Sequence, residues 1–235
     1  MAGCWPDLSP ATLPPLRRAS SGGKGRRVVP GAAASKRFLG LLACAVILCG
    51  GAAVVFAWTL GFSAFTSYSY ALSAAGPLPR PAPDFAFVDQ FGHERRLASL
   101  KGRRVLLHAF YGSCVTVCPI VIEQLHDIYG ELNPEQRRGL VILSISVDST
   151  RDTTGRLADL WREAGASDGW IMARPADGSL DTVLQKFGIW VFARADGTIN
   201  HSADLFLIDP SGRIVRVLSP RADSEGTRRE LEKYL

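Results

Sequence analysis

FLGLLACAVILCGGAAVVFAWTLGF, residues 38–62, runs for 25 residues without one charged side chain. As a helix it would reach about 37 Å at 1.5 Å per residue, enough to cross a hydrocarbon core of about 30 Å with some tilt. A cleaved signal peptide would carry a shorter apolar core, and a buried helix of a soluble protein would show a polar face. The stretch therefore reads as a transmembrane helix. Lys24, Arg26, Arg27, Lys36 and Arg37 precede it, and no charge follows it until Arg80. The positive-inside rule then leaves residues 1–37 as a basic tail on the cytoplasmic or matrix side, with the bulk of the chain outside.

That tail explains the net charge of +5: it holds seven Lys or Arg and one Asp, leaving 20 basic and 21 acidic residues beyond it. The remainder is nearly neutral, so nothing argues for a phosphate-binding surface and nucleic acid is excluded as a partner. An Arg-rich, acid-poor leader also fits a mitochondrial transit peptide. Two locations follow: the bacterial inner membrane with a periplasmic C-terminal domain, or the mitochondrial inner membrane facing the intermembrane space. In either, exposed thiols can be oxidised.

Residues 63–82 read as a linker, with aromatics suited to a membrane interface and PLPRPAP as a stiff extended stalk. Residues 83–235 read as one domain. FAFVDQFGHERRLASL predicts a hairpin turning at Phe91 and Gly92, and RRVLLHAF and LVILSISVD predict strands buried on both faces. VTVCPIVIEQLHDIYGEL, RDTTGRLADLWREAG, SLDTVLQKFG and SEGTRRELEKYL have helical spacing. GWIMAR adds a strand and ADLFLIDPSGRIVRVL a closing hairpin. Strands alternating with helices predict an α/β layer around a mixed sheet.

Five cysteines divide by place: Cys4 in the tail, Cys44 and Cys49 in the apolar span, and Cys114 and Cys118 in the domain. The last pair sits where a buried strand gives way to a helix. One turn apart at a helix N-terminus, both sulfurs can point to one spot, and the helix dipole favours thiolate. This permits a disulfide, thiol exchange or metal coordination. A closed zinc site would want four ligands, and the domain offers two cysteines. Copper(I), being soft, suits two thiolates and an imidazole. Of four histidines, His93 falls in a turn, His108 within a buried strand, and His126 about two helical turns past Cys118. His201 leads into a later strand. Spacing alone does not choose among them.

The C-x-x-x-C-P motif of Cys114, Cys118 and Pro119, the SVDSTRDT stretch from Ser146 to Thr153, and His201 before LFLIDPSG together resemble the Sco/SenC family of membrane-anchored copper chaperones. The resemblance implies a thioredoxin-like mixed sheet flanked by helices behind an N-terminal transmembrane helix. It implies that Cys114, Cys118 and His201 bind one copper ion, with Cys114 and Cys118 also able to form a redox disulfide. Implied partners are cytochrome c oxidase subunit II, whose copper site the family helps assemble, a copper donor, a thiol reductant and the membrane. The chain departs from the family where Gly112 stands for Thr, Val115 and Ser149 for Pro, and Asn200 for Asp. Asp148 is either a shaping group near the site or a loop carboxylate.

The competing reading is a membrane-anchored thiol-disulfide oxidoreductase using Cys114 and Cys118. Redox enzymes of similar fold resemble one another in a C-x-x-C pair and a PTTFLID-like stretch, whereas this chain has ADLFLID with Ala203 at the proline's place. A third reading, an inert structural disulfide, gains little, because so short a loop constrains the unfolded chain only modestly.

Overall fold

RVLLHAF and LVILSIS are apolar without alternation, which suits strands covered on both faces. They become β4 (Arg104–Phe110) and β5 (Leu140–Ser146), paired in parallel from Arg104 opposite Leu140 to Phe110 opposite Ser146. In the computed structural model, which describes residues 32–62, 64–165, 167–176, 178–220 and 224–235, every residue of β5 is buried, as is β4 from Val105 onward. The basic tail lies outside the described residues up to residue 31.

The chain divides into two units, Met1–Gly50 and Gly51–Leu235. Helix α1 (Ala32–Trp58) supplies the described part of the first. Its Phe38–Trp58 portion is long and apolar enough to cross a membrane, and none of its most apolar window is buried. The helix stops four residues short of the expected Phe62. Leu60, Gly61 and Phe62 adopt left-handed backbone, and the Thr59 hydroxyl both donates to the Val55 carbonyl (2.7 Å) and accepts from the Phe62 amide (3.0 Å). Left-handed residues end helices in this way.

In the second unit come α2 (Ser67–Ala74), β1 (Arg80–Pro81), β2 (Ala86–Asp89), β3 (Glu94–Arg96), β4, α3 (Val117–Glu131), α4 (Pro134–Gly139), β5, α5 (Thr154–Glu163), β6 (Trp170–Pro175), α6 (Leu180–Phe187), β7 (Val191–Ala193), β8 (Ile199–His201), β9 (Leu205–Ile208), β10 (Arg213–Leu218) and α7 (Ser224–Glu232). Eight strands form one mixed sheet in the order β1-β10-β9-β4-β5-β6-β2-β3, parallel across β4, β5 and β6 and antiparallel elsewhere. Strands β7 and β8 pair only with each other. The mixed sheet and flanking helices match the expected fold class. Large side chains fill the interior, with Phe187 edge-on to Phe85 and Phe206.

A polar tie crosses this core. The His108 ring on β4 is fully buried, its Nε2 is 2.6 Å from the Ser144 hydroxyl on β5, and the Trp170 indole donates to that same hydroxyl (2.8 Å). Ser144 therefore accepts from Trp170 and donates to His108, which satisfies three buried polar groups at once.

Two elements occur in the stretch expected as a linker. Helix α2 starts at a capping box in which Thr66 and Ser69 exchange side-chain and backbone hydrogen bonds, a signal legible in TSYS. Arg80 and Pro81 are extended, as a proline-rich stalk should be, but pair with Ile214 and Arg213 as an edge strand. The β7–β8 hairpin has no counterpart among the expected strands, because its three-residue strands are largely exposed and show no apolar alternation.

Candidate functional site

Strand β4 ends at Phe110, and the loop Tyr111–Thr116 leads into α3. Thr116 precedes the helix without capping it through its side chain. The Cys118 amide, one of the donors a helix start leaves unpaired, instead donates to Cys114 Sγ at 3.4 Å. From two residues before the cap position, the Cys114 sulfur thus takes the role a capping oxygen normally plays, while Cys118 lies on the first turn, 5% exposed. Cys114 is half-buried, and neither thiol is in a disulfide.

The two sulfurs differ electrostatically. Burial pushes the Cys114 thiol up, but hydrogen bonds from the Cys118 side chain and amide and from Thr116 outweigh it, bringing the pKa from 9.0 down to about 7. Burial, followed by the hydrogen bond to Cys114, pushes Cys118 up to about 12. One thiol is poised to ionise near neutral pH and the other keeps its proton, the arrangement in which one sulfur attacks or binds first.

His201 closes the site from β8. Its Nε2 lies 3.7 Å from Cys118 Sγ although the two residues are 83 positions apart. Its Nδ1 is 2.8 Å from the Ser202 carbonyl. A carbonyl only accepts, so Nδ1 carries the proton and the Nε2 lone pair faces the sulfur, the tautomer and second-atom anchoring usual in ligand histidines. Burial lowers the ring's pKa, against the opposing pull of Ser202, which favours neutral imidazole. Tyr111 packs edge-on to the ring at 5.8 Å. Among the described residues no three His, Cys, Asp or Glu side chains already form a closed metal cage. The arrangement is an open mouth: Cys118 touches His201, and Cys114 stands at the helix entrance.

The other histidines have partners other than the thiols. His93 is exposed beside Asp89 (3.5 Å), His108 belongs to the core tie, and His126 is exposed next to Asp127 (3.5 Å). A groove of about 390 Å³ opens beside the thiols between α3 and α5, lined by Cys114, Cys118, Pro119, Ile122, His126 and Leu160. Val115 and Ile120, adjacent in sequence to Cys114 and Pro119, are exposed.

Sequence reasoning missed the bracket that holds both halves of the site. Asp152, 2% exposed, accepts from the Gly112 amide (2.9 Å) and from the Ser146 hydroxyl. Arg156 donates to the Gly112 carbonyl (3.1 Å), so the residue two before Cys114 is held through both its amide and its carbonyl. From the same segment Arg151, paired with Asp148, donates to the Gly197 carbonyl (2.9 Å) at the β7–β8 turn. Asp148 therefore acts at one remove, through Arg151. The space also explains Gly112: a Cβ there would lie 2.5 Å from Asp152 Oδ1 and 3.1 Å from Leu160 Cδ1. The signal was present in SVDSTRDT, but only closure in three dimensions shows what its charges hold. Asn200, for its part, is exposed, and neighbouring strand positions face opposite ways, so it leaves from the side away from His201.

The chain is similar to several known proteins. A Stutzerimonas stutzeri protein named for copper binding is 26% identical over 163 residues, covering 68% of this chain and 79% of the relative. The thiol-disulfide oxidoreductase ResA of Geobacillus kaustophilus is 22% identical over 173 residues, covering 74% and 86%. The crystal structure of Arabidopsis thaliana ScoI with copper bound superposes with a TM-score of 0.57 at 21% identity, over 65% of this chain and 99% of that one, and so shares its fold. The SCO1/SenC family model matches residues 75–235, which take in the thiol loop, the bracket and the hairpin, and on that extent of match the chain belongs to the SCO1/SenC family.

Proposed function

We propose that this chain is a membrane-anchored copper carrier in which Cys114, Cys118 and His201 hold one copper(I) ion as cargo and pass it to an acceptor docked at the same open edge. The observation that carries the reading is the 3.7 Å approach of His201 Nε2 to Cys118 Sγ, with the ring's proton on its other nitrogen. Two sulfurs and one imidazole are a soft donor set that suits copper(I) over magnesium or calcium. Cys114, with its lowered pKa, supplies a thiolate near neutral pH. Transfer is ligand exchange: the acceptor's sulfurs or imidazoles replace these three one at a time, the metal keeps its oxidation state, and the released thiolates take up protons. The open mouth leaves room for the incoming ligands.

The copper site of cytochrome c oxidase subunit II is the acceptor that membership of the family suggests, with a separate copper donor and a thiol reductant that keeps the pair open. The apolar helix α1 supports anchoring, and the charges flanking it support an outward-facing domain in a bacterial inner membrane or, as the alternative, in the mitochondrial inner membrane. Copper(I) titration of the reduced full-length protein against a chromogenic chelator tests the reading. One copper per chain is expected, with His201→Ala weakening retention at least tenfold. Equal retention by parent and variant would refute it.

A second reading has its own observation. Cys114 is accessible and Cys118 is buried directly beside it, the asymmetry of an attacking and a resolving thiol, and ResA is among the relatives. On this reading the Cys114 thiolate attacks a substrate disulfide, Cys118 displaces the mixed disulfide, and the pair ends oxidised while the substrate is reduced. Disulfide reduction that persists in His201→Ala while copper retention matches the parent would favour it.

A further inference from the structure

A second aromatic cluster takes no part in the thiol chemistry. Trp190 and Phe192 stack with planes 5° apart and centroids 6.3 Å apart. Phe192 is exposed and Trp190 half-buried. Trp190 lines an open groove of about 410 Å³ with Ala64, Phe65, Tyr70 and Ala71. Those partners belong to the short connection that leaves α1. The Ala64 amide donates to the Thr59 carbonyl (3.0 Å), so the groove begins where the span's last turn is still being capped.

The connection is built for an interface. No charged side chain occurs between Thr59 and Pro79, while Trp58, Phe62, Phe65 and Tyr70 are exposed. Helix α2 is also fixed to the domain: the Tyr68 hydroxyl donates to Asp204 Oδ1 (2.9 Å), and a Cβ on Gly188 would lie 2.7 Å from the Ala71 carbonyl oxygen. The aromatic groups of the connection and of β7 therefore form one surface. Rings with an apolar body and a polar edge concentrate at the headgroup level of bilayers.

We propose that Phe65, Tyr70, Trp190 and Phe192 form a bilayer-docking face, so that the hairpin carrying His201 rests on the lipid surface. This rests on the reading of α1 as a membrane span. Lipid is favoured over a soluble protein as the occupant because the face is continuous with the end of that span. The nearest hairpin charges, Arg194 and Asp196, are of opposite sign, so anionic lipid is not required. Val191 lies directly opposite His201 and Phe192 opposite Asn200, so the imidazole leaves the hairpin from the face turned away from the docked aromatics. On the carrier reading, copper would then be handed over near the membrane surface.

Full-length protein in phosphatidylcholine vesicles with bromine high on the acyl chains provides the test, since bromine quenches an indole only at contact range. Trp190→Phe is expected to lose quenchable emission to an extent comparable with Trp58→Phe. Phe192→Glu, which keeps the indole and places a charge in the patch, is expected to reduce quenching as well. If Trp58→Phe loses quenching while Trp190→Phe and Phe192→Glu stay at the parent level, docking is overturned, the anchor stands, and the patch is left for a protein partner. If the parent itself is not quenched, the anchor and the docking fall together.

Discussion

The thiol pair and the imidazole adjoin through Cys118 but rest on different foundations. Cys114 and Cys118 extend from β4, whose neighbours on both sides are central strands, and their loop is clamped at the Gly112 peptide by Asp152 and Arg156. His201 ends a hairpin of two three-residue strands outside the main sheet, tied back at its turn by Arg151. The contrast assigns the parts different jobs. On the proposed copper-carrier reading, a rigid thiol pair would fix where the metal sits, and a peripheral imidazole would be free to swing away as the acceptor's ligands arrive. Affinity should then follow the hairpin, and stability the thiol side.

The sharpest way to break the thiol side is Asp152→Ala. It leaves the Gly112 amide and the proton of the Ser146 hydroxyl without an acceptor, each costing about 1–3 kcal/mol, so a loss of about 4 kcal/mol is expected in urea unfolding. Faster alkylation of Cys114 should accompany it. Wild-type stability would show that the clamp is ornamental.

Acid attacks the same scaffold through His108. Burial lowers its pKa from 6.5 to about 4, so between those values the unfolded chain binds a proton that the folded chain refuses. The contribution is complete above pH 6.5 and is lost as pH falls toward 4, at a cost of about 3 kcal/mol. Unfolding midpoints measured across that window should slope in the parent and flatten in His108→Gln.

Gly112→Ala crowds Asp152 and Leu160 and should cost about 1–3 kcal/mol by overpacking, read from the same unfolding curves. Smallest in stability is Arg151→Met. Its partly exposed pairing with Asp148 is worth less than about 1 kcal/mol, yet amide exchange at residues 198–201 should speed up while Cys114 alkylation keeps its parent rate. Equal changes on both sides would erase the proposed division of labour.

The same division governs what could be read from the chain. Strands β4 and β5 were legible because continuous apolar runs admit little else, and the C-x-x-x-C-P stretch announced a helix start bearing two thiols. His201 was chosen only by resemblance, since local spacing carries no information about an 83-residue closure. The β7–β8 hairpin escaped because short exposed strands lack a periodic signature. Helix α4 escaped despite its Asn133 and Gln136 capping box with Pro134 at the first turn, a signal passed over within a longer polar stretch. Asp152 figured only as one letter of SVDSTRDT at the head of a helical pattern until the fold brought Gly112 and Ser146 to it.

The central claim is that two sulfurs and one imidazole nitrogen share a single copper(I) ion. X-ray absorption at the copper edge of the reduced, loaded protein measures this coordination shell directly. Two sulfur scatterers and one imidazole are expected in the parent, with the imidazole signal gone and both sulfurs kept in His201→Ala. A sulfur-only shell in the parent, unchanged by the substitution, would contradict the account.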